Sequence, residues 1–288
     1  MVMQSLTSYR FDTLAQTITK LNEEECLLIA GGTDVMVQSK NRRGVPAKIE
    51  KPVVFIDHLS ELKQIYMDGR ELHIGACSTY QELLINSFIP TILKKAIREI
   101  AAPAIRNRGT LGGNICNASP AGDTLPLLYI FNTKLLLRSI DGERIIGIEE
   151  FIQGPRRIAR NKNEILVEVI LPELDEKNTH FIFEKVANRK ADAISKISFA
   201  GMLQVTGNKI KDARFAFGAV GPTMVRSLQC EKKIIDKEFP LEEGILNEVV
   251  ADFATIIHPI DDQRSTAFYR KIVAQNLLRY FLEAKGRF

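Results

Sequence analysis

Leu28-Ile29-Ala30-Gly31-Gly32-Thr33-Asp34-Val35 is a short apolar run that breaks on two adjacent glycines. A second segment repeats the theme further along the chain: Gly109-Thr110-Leu111-Gly112-Gly113-Asn114-Ile115-Cys116-Asn117-Ala118-Ser119-Pro120-Ala121-Gly122-Asp123. Residues 27–30 have the length and closing glycines of a buried strand. Adjacent glycines after a strand permit positive φ and leave successive backbone N–H groups exposed on one side. Such a concavity suits an anion that must approach the backbone closely. Neither segment matches the GxGxxG spacing or the P-loop, so neither of those phosphate sites is read here. Two such turns could clasp the two phosphates of one dinucleotide from opposite lobes, with Thr33, Thr110, Asn114 and Ser119 as neutral donors. Two tight turns with left-handed glycines and no ligand account for the same residues.

Around the first segment, residues 13–22 read as a helix and residues 53–57 as a second buried strand. Thr33-Asp34 looks like the N-cap of a short helix, with Lys40, Arg42 and Arg43 near its end and Gly44 as its stop. A second lobe opens near Leu59. It carries a strand over 71–76 and a helical pattern in Ile89, Ile92, Leu93, Ala96, Ile97 and Ile100. After the second glycine segment come an apolar stretch at 125–131 and strands at 134–138, 144–148 and 165–171. Pro172 and the charged run 173–177 mark the best boundary in the chain. Beyond it, strands at 181–186, 197–205 and 213–219 suggest an antiparallel meander, closed by helices at 241–257 and 266–284. In the last helix Ile272, Val273, Asn276, Leu277, Tyr280 and Phe281 fall on one face. The expected class is α+β, in three units: 1–58, 59–175 and 176–288.

The 288 residues are 45% hydrophobic and 26% charged, the composition of a globular protein with apolar surface enough to offset ordering. Lys+Arg number 39 against 35 Asp+Glu, a net charge of +4 without a dense basic block, so nucleic acid is not an expected partner. No apolar run is long enough to span a bilayer, and residues 1–10 lack the apolar core of a signal peptide. Cys26, Cys77, Cys116 and Cys230 are far apart, without a CxxC pair, and the four histidines are scattered. A cytoplasmic, reduced, metal-free chain with no membrane association is expected.

The stretches LLIAGGTDVMVQ (27–38) and IRNRGTLGGNICNASPAGDTLPLL (105–128) resemble the paired flavin motifs of the molybdenum hydroxylases. Within that group the chain is similar to the separate FAD-binding (medium) subunits of bacterial xanthine dehydrogenase and carbon monoxide dehydrogenase. The likeness continues through Glu164-Ile165-Leu166-Val167, Phe183-Glu184-Lys185-Val186-Ala187-Asn188-Arg189 and Phe217-Gly218-Ala219-Val220-Gly221-Pro222-Thr223. It reaches Ile260-Asp261-Asp262-Gln263-Arg264-Ser265-Thr266-Ala267-Phe268-Tyr269-Arg270, so nearly the whole chain is covered in order.

The resemblance implies a two-lobed FAD domain of the vanillyl-alcohol-oxidase (PCMH) type, followed by a smaller α/β C-terminal domain. It implies that Leu28, Ile29, Ala30, Gly31, Gly32, Thr33, Asp34 and Val35, with Thr110, Leu111, Gly112, Gly113 and Asn114, wrap the FAD pyrophosphate. Asp123 would bind the adenosine side, at a ribose hydroxyl, or would cap the helix that follows. Leu166 and Lys185 would lie near the isoalloxazine ring, where an ammonium stabilises negative charge on reduced flavin. A solvated lysine on a strand is the alternative for Lys185. Ile100 stands where eukaryotic xanthine dehydrogenase has an aromatic residue, and Ser119 where many relatives have Asp. Cys116 would lie close to the ring, or be a buried structural thiol. The basic run Arg156-Arg157-Ile158-Ala159-Arg160-Asn161-Lys162 would steer a pyridine nucleotide or an acidic partner, or form a solvated loop.

The function so implied is electron transfer by an FAD subunit within a heteromeric complex. Electrons would come from the [2Fe-2S] clusters of a small subunit and leave for an external acceptor such as NAD. The substrate would be hydroxylated on a large molybdopterin subunit, so no catalytic base, nucleophile or metal ligand is expected in this chain. The rivals are a self-contained FAD-dependent reductase of the same fold and a flavin-free assembly module. The intact glycines argue against the second, and the lack of a clear proton donor over the flavin argues against the first.

Overall fold

The computed structural model describes residues 6–41, 45 and 48–283. The expected helix stop at Arg42, Arg43 and Gly44, and residue 284 of the last helix, lie outside the described residues. Thr13 opens the first helix, Leu14–Glu23, through a reciprocal capping box with Gln16. Leu14, Thr17, Ile18 and Leu21 are its buried stripe. The helix connects into a three-stranded parallel sheet in the order Ser8–Tyr9, Val53–Phe55, Leu27–Ile29. Its core is completed by Cys77, Ile165 and Val167 from the next unit, so this lobe closes only against its neighbour.

That neighbour is an antiparallel sheet in the order Ile65–Asp68, Glu71–Gly75, Ile165–Pro172, Lys134–Ser139, Gly142–Gly147. Ile165–Pro172 is the central strand and is buried along most of its length, which explains why it is apolar apart from Glu168. Helices Thr91–Arg98, Leu111–Asn117 and Leu125–Ile130 contribute to the same core. The last of these is buried on every side, as an interior helix must be when it is apolar all round.

The five-stranded sheet ends at Pro172, and an antiparallel meander begins at Thr179: Thr179–Val186, Ile197–Thr206, Lys209–Gly218, then the short Val225–Arg226. Its third strand starts earlier than the sequence reading placed it. Thr206 pairs with Lys209 across a two-residue turn whose Gly207 has φ +63°, so the ladder runs up to the turn itself. Helices Glu243–Ile256 and Ala267–Leu282 pack on this sheet. The final helix buries Arg270, Ala274, Leu278, Phe281 and Leu282, whereas Ile272 and Tyr280 are 41% and 50% exposed. The expected apolar face was therefore rotated from the real one. Phe281 is common to both faces and packs over Gly201, where an added Cβ would lie 2.7 Å from its ring; Ala274, Leu278 and Leu282 are the buried apolar residues that the expected face left out.

Polar anchors join the meander to the preceding unit. Arg214 donates to the carbonyl of Ile130 (2.9 Å) and Arg226 to that of Tyr129 (2.7 Å), satisfying carbonyls at the end of the buried helix Leu125–Ile130. Arg226 also pairs with Glu231 inside the protein, at 2.9 Å.

Candidate functional site: a cavity between the lobes

The strand Leu27–Ile29 runs directly into the first glycine pair. Gly31 has no room for a side chain: an added Cβ would lie 1.8 Å from the Arg108 carbonyl oxygen, at the head of the second glycine segment. Gly32 has φ +74°, a conformation that turns the chain and favours glycine. The short helix Val35–Gln38 follows, but Asp34 makes no side-chain capping bond and instead lines the cavity. Among the described residues, the N–H groups of Gly31, Gly32, Thr33, Asp34 and Val35 have no protein acceptor. Five successive amides are thus left for something else.

The second glycine segment differs from the expectation. It is not a turn but the opening of the helix Leu111–Asn117, with Thr110 as its N-cap, and neither Gly112 nor Gly113 has positive φ. Its amides are already used. Leu111 N–H donates to Ser78 O (3.1 Å), Gly112 N–H to Ala76 O (2.9 Å) and Asn114 N–H to Thr110 O (3.1 Å). Gly113 N–H goes to Thr110 Oγ1, at 3.1 Å. Gly112 is small because a Cβ there would come within 2.6 Å of Ala76. The two segments are therefore not equivalent: the first offers free donors, and the second packs a wall against it. Gln38 and Asn117 tie them together by a 2.7 Å hydrogen bond.

Between them lies a cavity of about 990 Å³, at the upper end of the range for sites that take small molecules and cofactors. Leu28 to Val35, Ile100, Thr110, Gly112, Gly113, Asn114, Asp123 and Leu166 all line it. Leu111 does not: it is fully buried in the core behind the wall. Lys185 does not line it either. Its ammonium is 2.8 Å from Asp123 Oδ2 and donates to the Glu99 carbonyl at 2.8 Å, and its side chain is only 3% exposed. The solvated alternative is excluded by that burial, and Lys185 is the partner of a carboxylate rather than a free cation. Asp123, whose other oxygen accepts from Ser195, makes no capping bond to the helix that follows, which opens at Thr124. Burial pushes the Asp123 carboxyl above its ordinary range, and the Lys185 charge opposes this.

Leu166 lines the cavity, whereas Lys185 does not and is paired with Asp123. Leu166 neighbours Glu164, whose carbonyl accepts from Arg160, and the nearby Lys162 pairs with Glu25 at 3.3 Å. Lys185 sits with Glu99, Asp123 and Ser195, beside Ile100. Asp123 and Lys185, expected at different parts of the cofactor, form one pair.

The wall takes in further residues beyond the expected FAD contacts. Arg156 and Arg160 of the basic run line the cavity. Arg264 comes from a turn that Asp262 holds by accepting from the N–H of Arg264 (2.8 Å) and Ser265 (3.1 Å), and from the Arg270 guanidinium (2.7 Å). Asn188, Arg189 and Asp192 line the cavity from the C-terminal unit. Cys77 and Cys116 also line the cavity, and burial pushes their thiols up to about 12 and about 11. Both are protonated at neutral pH, which fits a structural thiol better than a redox role for Cys116.

Residues 4–174 match the model of the FAD binding domain in molybdopterin dehydrogenase, and residues 183–284 that of the CO dehydrogenase flavoprotein C-terminal domain. The xanthine dehydrogenase FAD-binding subunit of Escherichia coli is 30% identical over 280 residues, covering 94% of this chain and 92% of that protein. The glyceraldehyde dehydrogenase medium chain of Sulfolobus acidocaldarius is 30% identical over 253 residues, covering 86% of each. Among solved structures, a chain of reconstituted CO dehydrogenase from Oligotropha carboxidovorans superposes with a TM-score of 0.89 at 25% identity, covering 100% of both chains.

Proposed function

The chain belongs to the FAD-binding subunits of the molybdenum hydroxylases, and from that premise we propose that it binds FAD between its lobes and relays electrons through it. In this reading the electrons arrive from the [2Fe-2S] clusters of a small partner subunit and leave for an external acceptor such as NAD. Hydroxylation takes place on a large molybdopterin subunit. The observation that carries the reading is the row of five acceptor-free amides, Gly31 to Val35, in the wall of a cavity large enough for a cofactor. A row of that length suits a pyrophosphate better than a single phosphate.

Bound FAD supplies the one- and two-electron chemistry, while the protein supplies binding, orientation and electrostatics. We assign the pyrophosphate to Gly31–Val35 and the wall in front of it to Thr110, Gly112, Gly113 and Asn114. Asn114 Oδ1 accepts from Thr124, which fixes its amide and leaves the NH₂ group as a donor toward the cavity. Leu28, Ile29 and Ala30 are assigned to the apolar wall beside the pyrophosphate. The isoalloxazine is assigned to Ile100 and Leu166, with Lys185 acting through Asp123. The units 1–58, 59–175 and 176–288 are the corresponding division of the chain.

The test is cofactor choice followed by turnover. Apo-protein should take up FAD in preference to FMN. Alone it should oxidise no purine, aldehyde or N-heterocycle, and hydroxylation should appear only on adding iron–sulfur and molybdenum subunits. Preferential FMN uptake, or robust turnover by the lone chain, would overturn the reading.

A further inference from the structure

The basic run contains a residue whose backbone is strained in order to face the cavity. Arg156 has φ +58°, in the left-handed region that a non-glycine residue seldom occupies. Its N–H donates to the carbonyl of Ala118 at 3.1 Å. Ala118 is itself left-handed, at φ +45°, where it closes the helix Leu111–Asn117. Two strained residues thus clip the turn between strands Ile152–Gly154 and Arg157–Ile158 onto the end of the second glycine segment. Strain of this kind persists where the surroundings over-determine it, and it clusters at ligand clamps.

The consequence is electrostatic. The clip sets Arg156 in the wall of the cavity that Asp34, the acidic member of the amide row, also lines. Burial pushes the Asp34 carboxyl up, and the Arg156 charge pulls it back down. Among the described residues the Arg156 guanidinium has neither a hydrogen bond nor an ion pair of its own. Arg160, four residues on, differs: it donates to the carbonyls of Glu164 (2.5 Å) and Lys162 (3.4 Å). An anion bound to the amides of Gly31–Val35 would meet the like charge of Asp34, and uncharged amides alone do not offset it.

We propose that Arg156 is the counter-charge of the amide row: it faces Asp34 in the free protein and binds the pyrophosphate of FAD when the cofactor enters. Its planar fork of donors matches phosphate oxygens two at a time, which an ammonium does not. The strained backbone is what holds the fork at that place. This rests on the FAD reading and adds a residue to it.

The experiment is an equilibrium titration of the full-length apo-protein with FAD, with ADP (pyrophosphate without flavin) and with adenosine (no phosphate). It compares wild type with Arg156→Gln, Arg156→Lys and Arg156→Gly, and the Tm of each apo-protein is recorded. Arg156→Gln should weaken FAD and ADP by roughly tenfold to a hundredfold, the range for a lost charge-assisted hydrogen bond, and leave adenosine unchanged. Arg156→Lys should retain part of the affinity. Arg156→Gly should lose FAD affinity as Gln does while its Tm does not fall, because glycine removes the charge and relieves the backbone. Adding Asp34→Asn to Arg156→Gln should recover part of the loss, since the like charge is gone. Wild-type affinity for FAD and ADP in Arg156→Gln, or an equal loss for adenosine, would overturn the proposal. If wild type bound ADP but not FAD, the FAD reading would fail and the ADP arm would still decide Arg156; if wild type bound neither, both would fail.

Discussion

Lys185→Met is the substitution with the largest consequence that the structure allows to be worked through. Lys185 Nζ is 2.8 Å from Asp123 Oδ2, and the two side chains are 3% and 9% exposed. The pair also joins the C-terminal unit to the flavin lobe, because Asp123 and Glu99 lie before the boundary and Lys185 and Ser195 after it. Methionine matches the volume and removes the charge, leaving Asp123 with the Ser195 hydroxyl. Stranding one partner of a buried ion pair costs about 3–5 kcal/mol. Against a total stability of about 5–15 kcal/mol that is a large share, and it corresponds to a fall in Tm on the order of 10 °C. Burial already raises the Asp123 carboxyl, and without the opposing ammonium it rises further. The folded variant then holds more protons than its unfolded chain, so the deficit must shrink as the pH is lowered. The assay is urea unfolding of apo wild type, Lys185→Met, Asp123→Asn and the double variant, near pH 7.5 and near pH 5. The double variant should cost at least about 2 kcal/mol less than the sum of the singles, since it leaves no stranded charge. Additive losses, or a Lys185→Met deficit under about 1 kcal/mol that does not change with pH, would show that the pair is not the buried unit described.

Two glycines side by side should respond differently. Gly31→Ala drives a methyl into the Arg108 carbonyl and should cost about 3 kcal/mol, with loss of FAD uptake as the segments part. Gly32→Ala meets only ordinary contacts but is strained at φ +74°, and should cost about 1 kcal/mol in the same thermal melts. For Asp262, burial pushes the carboxyl up, but the N–H groups of Arg264 and Ser265 and the Arg270 guanidinium outweigh it and hold it at about 2. A depressed folded pKa gives stability that is present above the unfolded value near 3.8 and is lost as the pH falls toward about 2. Asp262→Asn should therefore be less stable than wild type at neutral pH, with the gap closing between pH 4 and pH 2 in urea midpoints.

Local sequence determined much of this protein. The capping box at Thr13, the strand ending in Gly31-Gly32, the boundary after Pro172 and the meander beyond it are all written in short-range patterns, because caps, strands and turns depend on residues a few positions apart. The glycines marked the cavity for the same reason. What they could not disclose is why each is glycine. Gly32 satisfies its own φ, whereas Gly31 and Gly112 answer to Arg108 and Ala76, which only the fold brings close. That distinction decided which segment keeps free amides, since the second spends its own on Ala76, Ser78 and Thr110. The face of the last helix was partly misread because apolar residues recur on more than one side of it, and only packing against the meander selects Ala274, Leu278 and Leu282 over Ile272 and Tyr280. Asp123 and Lys185 lay in different units of the chain and looked like separate functions. Tertiary structure made them one ion pair, because a charge removed from water requires a partner, wherever in the sequence that partner is encoded.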